Sequence, residues 1–213
     1  MIAIGDIHGC IHTLKALLKE ADYKSATDTL VFVGDYIDRG YYSFETVDFL
    51  IKLQRQVGKD KVVCLKGNHE LMATGFDFDL WMYNGGHYTI ASYERNGQDV
   101  SIHKSWMRNL PLIYDTPEII FCHAGLSKSK IEDNTEEDLL WGREWLSKNI
   151  PTPDNKQVIF GHTPMEEVFQ TANGSIGIDT GCVFGNKLTG IIFTDEGSKI
   201  ISVKKAVEDC DIE

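Results

Sequence analysis

The first third of the chain alternates short apolar runs with segments in which apolar residues recur at helical spacing. The runs at 2–4, 29–33 and 61–65 have the length and composition of buried strands. The intervening segments at 11–21 and 43–57 carry apolar residues on one helical face. Strands that alternate with helices pair in parallel through right-handed crossovers. This part of the chain is therefore predicted to form a parallel sheet with helices packed against it.

The pattern changes over residues 71–110. This segment is rich in aromatic residues, contains an Asn-Gly-Gly turn at 84–86 and shows helical spacing at 87–95 and 101–109. We expect a helical insertion at about 71–110 that lies over one edge of the sheet.

The second half of the chain is mostly β in character. Residues 119–122 are predicted to form a strand, and 135–148 a helix with Thr135 as its N-cap and acidic residues in its first turn. Further strands are predicted at 158–160, 168–170, 175–178, 188–193 and 199–203. The whole pattern predicts an α/β (α+β) protein, in which two packed sheets are flanked by helices and residues 1–213 form a single domain.

The charge balance limits the partners that the chain can attract. Its formal net charge is -11, from 21 basic and 32 acidic residues. An acidic surface disfavours duplex nucleic acid and anionic membranes, because both are bound through Lys and Arg. We therefore expect no duplex nucleic acid and no membrane as partners. A site for phosphate in this chain must supply local positive charge, which metal ions would do.

The cysteines favour a reduced compartment. The five are widely spaced and form no Cys-x-x-Cys pair, which argues against a zinc ribbon or a thioredoxin-type motif. None of Cys10, Cys64, Cys122 and Cys182 has, six positions later, the arginine that cysteine-based phosphatases require. The N-terminus lacks the pattern of an export signal, and no stretch approaches the roughly 18 apolar residues of a membrane span. A cytoplasmic protein is expected.

Polar motifs follow five of the predicted strands. They are Gly5-Asp6-Ile7-His8-Gly9, then 34–40 with Asp35, Asp38 and Arg39, then Gly67-Asn68-His69-Glu70, and finally the segments 122–125 with His123 and 161–164 with His162. Side chains just past the carboxyl ends of parallel strands converge on one crevice, where open α/β sheets bind ligands. We therefore expect these motifs to form one site.

The residue types in these motifs are those of a metal site. They offer carboxylate, amide and imidazole ligands, a mixture that suits Mn²⁺, Fe or Zn²⁺ rather than Ca²⁺. One shared carboxylate, such as Asp35, can bridge two ions about 3.5–4 Å apart. The predicted ligands are Asp6, His8, Asp35, Asn68, His123 and His162.

Taken together and in this order, the five motifs resemble the PPP-type serine/threonine protein phosphatases of the metallophosphoesterase (calcineurin-like) superfamily. The compact bacterial and bacteriophage members, such as the phage lambda phosphatase, are similar in length and layout. The resemblance runs from Gly5 to about Thr189 and includes the segment at 178–181. It implies a four-layer metallophosphoesterase sandwich with two mixed sheets, and two divalent metal ions, with Mn²⁺ preferred and Fe or Zn²⁺ as alternatives.

The resemblance also implies a role for each motif residue. Asp6 and His8 would hold the first ion, Asp35 would bridge the two, and Asn68, His123 and His162 would hold the second. The phosphate-binding residues would be Arg39, Asn68 and Arg143. His69 would be the general acid and Asp38 the carboxylate that orients it, which makes His69, Asp38, Arg39 and Arg143 the catalytic set.

The implied reaction is a one-step hydrolysis. A hydroxide that bridges the metals would attack phosphorus in line, while His69 protonates the leaving group. The predicted activity is that of a two-metal phosphoprotein phosphatase acting on a phosphorylated protein or a small phosphoester, and no regulatory subunit is implied. A diadenosine tetraphosphate (symmetrical) hydrolase, or a related nucleotide or RNA 5′-end hydrolase, is the alternative. A non-catalytic binding module with this fold is a third hypothesis.

Some residues have more than one interpretation from sequence alone. Asp38 and Arg39 could form a surface ion pair, and Arg143 could be a solvated arginine. Trp141 and Trp145, four positions apart, are expected to face the core together on the 135–148 helix. Three residues could either line the site or pack the insertion; they are Trp81, Tyr83 and Tyr88. Three histidines lie outside the motifs and have no predicted role; they are His12, His87 and His103.

Overall fold

Two mixed β-sheets lie at the centre of the computed structural model, which describes residues 1–75 and 77–210. The strand order is β10-β9-β1-β2-β3 in the first sheet and β4-β5-β6-β8-β7 in the second. The strands are β1 (Ile2–Ile4), β2 (Leu30–Phe32), β3 (Val62–Cys64), β4 (Ile113–Asp115), β5 (Ile119–Cys122), β6 (Gln157–Phe160), β7 (Phe169–Gln170), β8 (Ile176–Gly177), β9 (Lys187–Thr194) and β10 (Gly197–Lys204).

The three strands of the N-terminal βαβ units pair in parallel, as the sequence predicts. Ile2 lies opposite Leu30, and Leu30 lies opposite Val62. On the other side of β1, β9 and β10 add in antiparallel fashion. In the second sheet β5, β6 and β8 are parallel, while β4 and β7 pair antiparallel at its edges. Both sheets are therefore mixed. The carboxyl ends of their parallel strands lie at one side of the molecule.

Helices cover both outer faces of the paired sheets. Four short helices fill most of the segment predicted to be a helical insertion. Over the two described stretches, no helix combines the length and the apolar character that a membrane span requires. The helices are α1 (Ile11–Glu20), α2 (Ser43–Val57), α3 (Asn68–Thr74), α4 (Phe78–Trp81), α5 (His87–Arg95), α6 (Ser101–Arg108) and α7 (Glu136–Trp141).

The period of two along β1 divides the core into layers. Ile2 and Ile4 pack into the cluster under α1 and α2, whereas Ala3 joins the cluster between the sheets. That inner cluster also contains Val31 of β2 and Phe121 of β5, all fully buried. A third cluster lies on the outer face of the second sheet. The predicted fold class, two mixed sheets between helical layers, is thus confirmed.

The helix predicted at 135–148 is shorter than expected. Thr135 caps α7 as predicted, but α7 ends at Trp141 because Gly142 has extended backbone angles (φ -61°, ψ 139°). A Cβ at Gly142 would lie 2.3 Å from the carbonyl oxygen of Asp138. The break lets Trp145 bury its ring on the second sheet and donate its Nε1–H to the carbonyl of Ala124 (2.9 Å). The two tryptophans therefore do not share one helical face.

Helix α1 is capped by a residue from the far end of the chain. The residue before it, Cys10, makes no side-chain cap hydrogen bond. Instead the buried carboxylate of Asp209 accepts the backbone N–H of His12 (3.1 Å) and of Thr13 (2.7 Å). It also accepts the hydroxyl of Thr13 (2.6 Å). This contact fixes the helix that directly follows the Asp6-His8 motif.

We expect Asp209→Ala to lower the free energy of unfolding by about 1–3 kcal/mol, because buried donors at a helix N-terminus would lose their acceptor. Urea denaturation measures the change. Asp209→Asn, which keeps one acceptor oxygen, should recover part of it, and Asp195→Ala at an exposed position should have no effect. An unaltered unfolding midpoint for Asp209→Ala would show that the cap does not matter.

Candidate metal and phosphate site

The structure brings the six predicted ligands together. Each follows the carboxyl end of one of the strands β1, β2, β3, β5 and β6, and each is at least nine-tenths buried. The polar residues that follow five short strands in two sheets therefore lie close together, as the positions of the motifs predict. The six are Asp6, His8, Asp35, Asn68, His123 and His162.

Asp35 lies at the centre of this group. Its Oδ2 is 3.4 Å from Nε2 of His8 and 3.4 Å from Nε2 of His123, and 3.9 Å from Nε2 of His69. Burial opposes ionisation of this carboxyl, but the surrounding imidazoles, His123 foremost, outweigh it and hold the pKa of Asp35 well below its usual range. A carboxylate that lies within 4 Å of three imidazoles could be shared between two ions.

Backbone carbonyls fix the tautomers of two imidazoles. Nδ1 of His8 donates to the carbonyl of Ile37 (2.7 Å), and Nδ1 of His123 donates to the carbonyl of Val33 (2.9 Å). Nε2 is therefore the ring nitrogen of each histidine that could bind a cation, and it lies 3.4 Å from Oδ2 of Asp35. Donation of the second ring nitrogen to a carbonyl is the usual way in which proteins orient metal-binding histidines.

Several polar atoms of the site crowd one another, and in the part of the chain that the structure describes Nε2 of His162 is buried without a hydrogen-bond partner. Oδ1 of Asn68 lies 2.9 Å from Nε2 of His123 and 3.0 Å from Nδ1 of His162. Among the described residues, Oδ1 of Asp6 is a buried oxygen without a hydrogen-bond partner. Burial, together with the nearby carboxylates of Asp179 and Asp35, raises the pKa of Asp6 well above its usual range. Divalent cations at this point would satisfy the two unpartnered atoms and offset the crowded carboxylates, so these residues fit a metal centre.

The possible ligand atoms fall into two groups that share Asp35. One group is His8, Asp35 and His69, and the other is Asp35, His123 and His162. The second group agrees with the sequence prediction. In the first group His69 occupies the place predicted for Asp6, whose Oδ2 accepts the backbone N–H of His162 (2.9 Å).

The backbone at the site is strained. Five of its non-glycine residues have positive φ, between 45° and 70°, which only glycine adopts without cost. Such strain collects at functional sites and persists only where the surroundings enforce it. The five residues are His8, Asp35, Asp38, Arg39 and His162.

Glu70 holds part of this strained backbone. Its carboxylate accepts three backbone N–H groups, those of Asp35 (3.0 Å), Tyr36 (2.8 Å) and Gly67 (2.9 Å). It thereby joins the turn after β2 to the turn after β3. The sequence alone predicts no role for Glu70 in the site. Its place directly after Asn68 and His69 is the feature that could have indicated one.

Asp38 and His69 form a buried pair. Oδ2 of Asp38 lies 2.7 Å from Nδ1 of His69. The carboxyl also accepts the indole N–H of Trp81 at 3.0 Å and the hydroxyl of Thr89 at 2.5 Å. Burial raises the pKa of Asp38 to about 8 in spite of these two hydrogen bonds, and burial lowers the pKa of His69 to about 4. Burial thus disfavours the charged form of each group, and the hydrogen bond between them holds the imidazole in place.

The alternative in which Asp38 and Arg39 form a surface ion pair does not hold, because Asp38 is completely buried. Nη1 of the half-buried Arg39 lies 2.9 Å from Nε2 of His8, and its guanidinium stands over the ring of Phe184 at 5.5 Å. Arg39 is thus beside the ligand group. Trp81, for which two interpretations were open, supports Asp38 from the segment predicted as an insertion.

Arg143 lies at the rim of the site. It is exposed and donates Nε–H to the hydroxyl of Thr163 (3.2 Å), the residue after His162. The three histidines without a predicted role pack against tyrosines, and the ring centroids of His87 and Tyr88 are 4.3 Å apart. The ring of His12 contacts Tyr42, and Nδ1 of His103 lies 2.9 Å from the hydroxyl of Tyr93.

Residues 1–201 match the family described as Metallophos: Calcineurin-like phosphoesterase. The chain therefore belongs to the calcineurin-like phosphoesterase family. Members of this family use a binuclear divalent metal centre, and the two His/Asp groups that share Asp35 are able to hold one.

Relatives within the calcineurin-like phosphoesterases have different names. The chain is 29% identical to "Bis(5'-nucleosyl)-tetraphosphatase PrpE [asymmetrical]" of Anoxybacillus flavithermus, over 90% of this chain and 89% of the relative. It is 33% identical to "Serine/threonine-protein phosphatase 1" of Salmonella typhimurium, over 87% and 88%. A crystal structure of a putative diadenosine tetraphosphatase superposes with a TM-score of 0.73 at 24% identity, over 97% of this chain and 93% of the other, and supports the fold.

A glycine in this calcineurin-like phosphoesterase leaves room for Asp6. A Cβ at Gly161 would lie 1.9 Å from Oδ1 of Asp6 and 2.9 Å from Cγ2 of Val33. We expect Gly161→Ala to displace Asp6 and to weaken Mn²⁺ binding by about 10–100-fold, the loss typical when the surroundings of a ligand are altered.

Metal titration measures this effect, and thermal unfolding shows whether the fold is retained. Gly97→Ala is the matched control, since a Cβ there meets nothing within 4 Å although its φ is +65°. If Gly161→Ala bound Mn²⁺ as tightly as the unaltered chain, Asp6 would not be a ligand.

Proposed function

We propose that this protein is a metal-dependent hydrolase of dinucleoside polyphosphates. The observation that carries this proposal is the similarity to the asymmetrical bis(5'-nucleosyl)-tetraphosphatases, which extends over 90% of this chain and 89% of the relative. The sequence motifs alone favour a serine/threonine protein phosphatase, with the nucleotide hydrolase as the alternative. The relatives support the nucleotide hydrolase better.

The site residues have distinct roles in the proposed reaction. Two divalent cations, once bound by the six ligands, supply Lewis-acid and water-activating chemistry. Arg39 and Asn68 orient the phosphate from the inner side of the site, and Arg143 approaches it from the rim. Guanidinium groups suit this task because they form paired hydrogen bonds with phosphate oxygens.

His69 is the proposed proton donor. Its Nδ1 is held by Asp38 at 2.7 Å, so its Nε2 faces the ligand group, 3.9 Å from Oδ2 of Asp35. A positioned imidazole can protonate the oxygen that leaves phosphorus. Trp81 and Thr89 act through Asp38, since their hydrogen bonds fix the carboxyl that orients the ring.

A protein phosphatase is the second candidate, and the Asp38–His69 pair is the observation that favours it. The alkoxide that leaves from phosphoserine needs a proton, whereas the phosphate chain that leaves from a polyphosphate is stable without one. The 33% identity to the Salmonella serine/threonine-protein phosphatase 1 supports the same candidate.

A substrate panel separates the two candidates. The purified chain is incubated with diadenosine tetraphosphate, phosphopeptides and 5′-triphosphate RNA, in Mn²⁺, Zn²⁺ and Fe²⁺ separately. We expect turnover of diadenosine tetraphosphate, and chromatography of the nucleotides shows whether cleavage is asymmetrical (AMP and ATP) or symmetrical (two ADP). Rapid phosphopeptide turnover with diadenosine tetraphosphate left intact would refute the proposal and establish the second candidate.

A further inference from the structure

A pocket opens beside Arg39, on the outer side of the site. Its volume is about 400 Å³, within the ordinary range of ligand pockets. We call it the Arg39 pocket; it is lined by Arg39, Tyr83, His87, Tyr88, Val183 and Phe184, among others. Aromatic side chains from two distant parts of the chain therefore meet next to the proposed phosphate-binding arginine.

Two aromatic rings in this pocket are exposed to an unusual extent. Tyr83 is 89% exposed and Phe184 is 63% exposed. Large exposed aromatic groups that cluster around a concavity mark binding surfaces more often than isolated ones do. The guanidinium of Arg39 stands 5.5 Å from the ring of Phe184, so a cation and an aromatic face are offered side by side.

Phe184 is presented on a fixed turn. Gly181 and Gly185, at the two ends of this turn, both adopt left-handed angles (φ 68° and 96°). The side chain of Asn186 donates to the carbonyl of Thr180 (2.9 Å), and Nζ of Lys205 donates to the carbonyl of Val183 (3.1 Å). A ring carried on a backbone fixed in this way requires no ordering of the turn when a ligand stacks on it.

Tyr83 lies on a kinked turn that also touches Arg39. The turn Met82–Gly86 is not a regular helix, because the kink at Gly85 falls inside it. Within it, Gly85 has a φ of 98°, and its carbonyl accepts the backbone N–H of Arg39 (3.4 Å). The turn that carries Tyr83 is thereby joined to the backbone of Arg39. This contact keeps the ring of Tyr83 near the arginine that we propose to bind phosphate.

The charge around the pocket points to an anionic ligand. Among the described residues that line it none is acidic, although the whole chain carries a net charge of -11. The grooves next to Trp141 are lined by both signs of charge: the carboxylates of Glu136, Glu137, Asp138 and Glu144, and the cations Arg143 and Lys148. A polyphosphate chain that leaves the metal centre meets mixed charge on the Trp141 side, and on the Arg39 side it meets a cation and aromatic faces without a carboxylate.

We propose that the Arg39 pocket binds the nucleobase of a nucleoside polyphosphate, stacked on Phe184 and Tyr83, while Arg39 holds the adjoining phosphates. This inference rests on the proposed function and specifies how its substrate is selected. It assigns the nucleoside part of the substrate to Phe184 and Tyr83, residues outside the metal and phosphate groups.

The test compares two ligands that differ in the nucleoside. In the presence of Mn²⁺, calorimetry measures the affinity of ADP and of pyrophosphate for the unaltered chain and for variants. We expect ADP to bind more tightly than pyrophosphate. Phe184→Ala and Tyr83→Ala should each weaken ADP binding by about 5- to 100-fold, the loss typical of one base–aromatic stack, and leave pyrophosphate binding unchanged.

Two further variants act as controls. Phe184→Trp keeps an aromatic face and should keep the preference for ADP. Phe78→Ala removes an equally exposed aromatic group (59%) that does not line the pocket, and should change neither affinity. Equal affinities for ADP and pyrophosphate in the unaltered chain, or equal losses of both in Phe184→Ala, would overturn the inference. So would a loss of phosphoserine-peptide affinity in Phe184→Ala without any loss for ADP, since the pocket would then bind a peptide side chain.

These outcomes differ from those that test the proposed function. ADP binding requires no turnover, so a protein that prefers ADP but leaves diadenosine tetraphosphate intact would refute the proposed function and leave the nucleobase pocket standing. A protein that cleaves diadenosine tetraphosphate but binds ADP and pyrophosphate equally would do the reverse.

Discussion

Asp35→Asn is expected to reduce metal-dependent phosphoester hydrolysis by about 10³-fold or more. Asp35 is the residue common to both groups of possible metal ligands. Metal ions contribute several kcal/mol of transition-state stabilisation in such sites, and each 1.36 kcal/mol corresponds to a tenfold change in rate. Loss of the shared carboxylate weakens both positions at once, so this substitution has the largest effect that we expect.

The asparagine variant separates this role from a structural one. Oδ1 of Asp35 accepts the backbone N–H of His69 (3.1 Å), and the amide oxygen of asparagine can accept the same bond. The fold should therefore survive, as thermal unfolding would show. Asp22→Asn, at a side chain that is 81% exposed and whose φ is also positive, is the control and should keep full activity. An Asp35→Asn variant with near-normal turnover would exclude a shared carboxylate ligand.

We expect the loss of hydrolysis rate in His69→Asn to increase as the leaving group becomes more basic. General acid catalysis contributes about 10²–10⁴-fold. That full loss should appear with an alkyl phosphomonoester such as a phosphoserine peptide, whose alkoxide must be protonated. The loss should be much smaller with para-nitrophenyl phosphate or diadenosine tetraphosphate, which release stable anions. Steady-state rates on the three substrates give the comparison.

Two variants that act through Asp38 complete this test. Asp38→Asn and Trp81→Phe leave the imidazole in place but alter the hydrogen bonds that orient it. In both variants the loss of hydrolysis rate should depend on the leaving group as it does in His69→Asn, but the loss should be smaller. A uniform loss on all substrates in His69→Asn would instead assign His69 to the metal centre, in agreement with its place among the possible ligands beside His8 and Asp35.

The sequence predicts the centre of the site well because position along a strand decides it. A polar residue directly after a buried parallel strand lies at the carboxyl edge of the sheet. Five such motifs in series therefore place their side chains along a common edge. The structure brings all six predicted ligands to that edge. The strands themselves are recognisable because β1, β2 and β3 are continuous apolar runs, as buried strands must be.

The residues that hold the site side chains in place cannot be predicted in the same way, because their contacts join segments that are distant in the sequence. Trp81 and Thr89 reach Asp38 from 43 and 51 residues away, and no local pattern marks them for this role. Asp209 caps α1 from 196 residues away. Each of these contacts joins segments that become neighbours only after the chain has folded.

The helix at 135–148 shows the limit of periodicity. Trp141 and Trp145 fit a helical face, but tertiary burial of Trp145 against the second sheet overrides that preference. The antiparallel edge strand β4 was missed for a related reason, because its residues are partly exposed and show no strong apolar run. The ring of Trp141 instead stands edge-on to His162, 5.9 Å away, beside the site.

The number of divalent ions that the chain binds tests the central claim most directly. Purified protein is equilibrated with Mn²⁺, freed of excess metal and analysed by atomic emission, with Asp35→Asn treated in parallel. We predict two ions per chain for the unaltered protein, and fewer than one for Asp35→Asn, because both positions share this carboxylate. One ion or none in the unaltered protein, or two in both proteins, would contradict a binuclear centre built on Asp35.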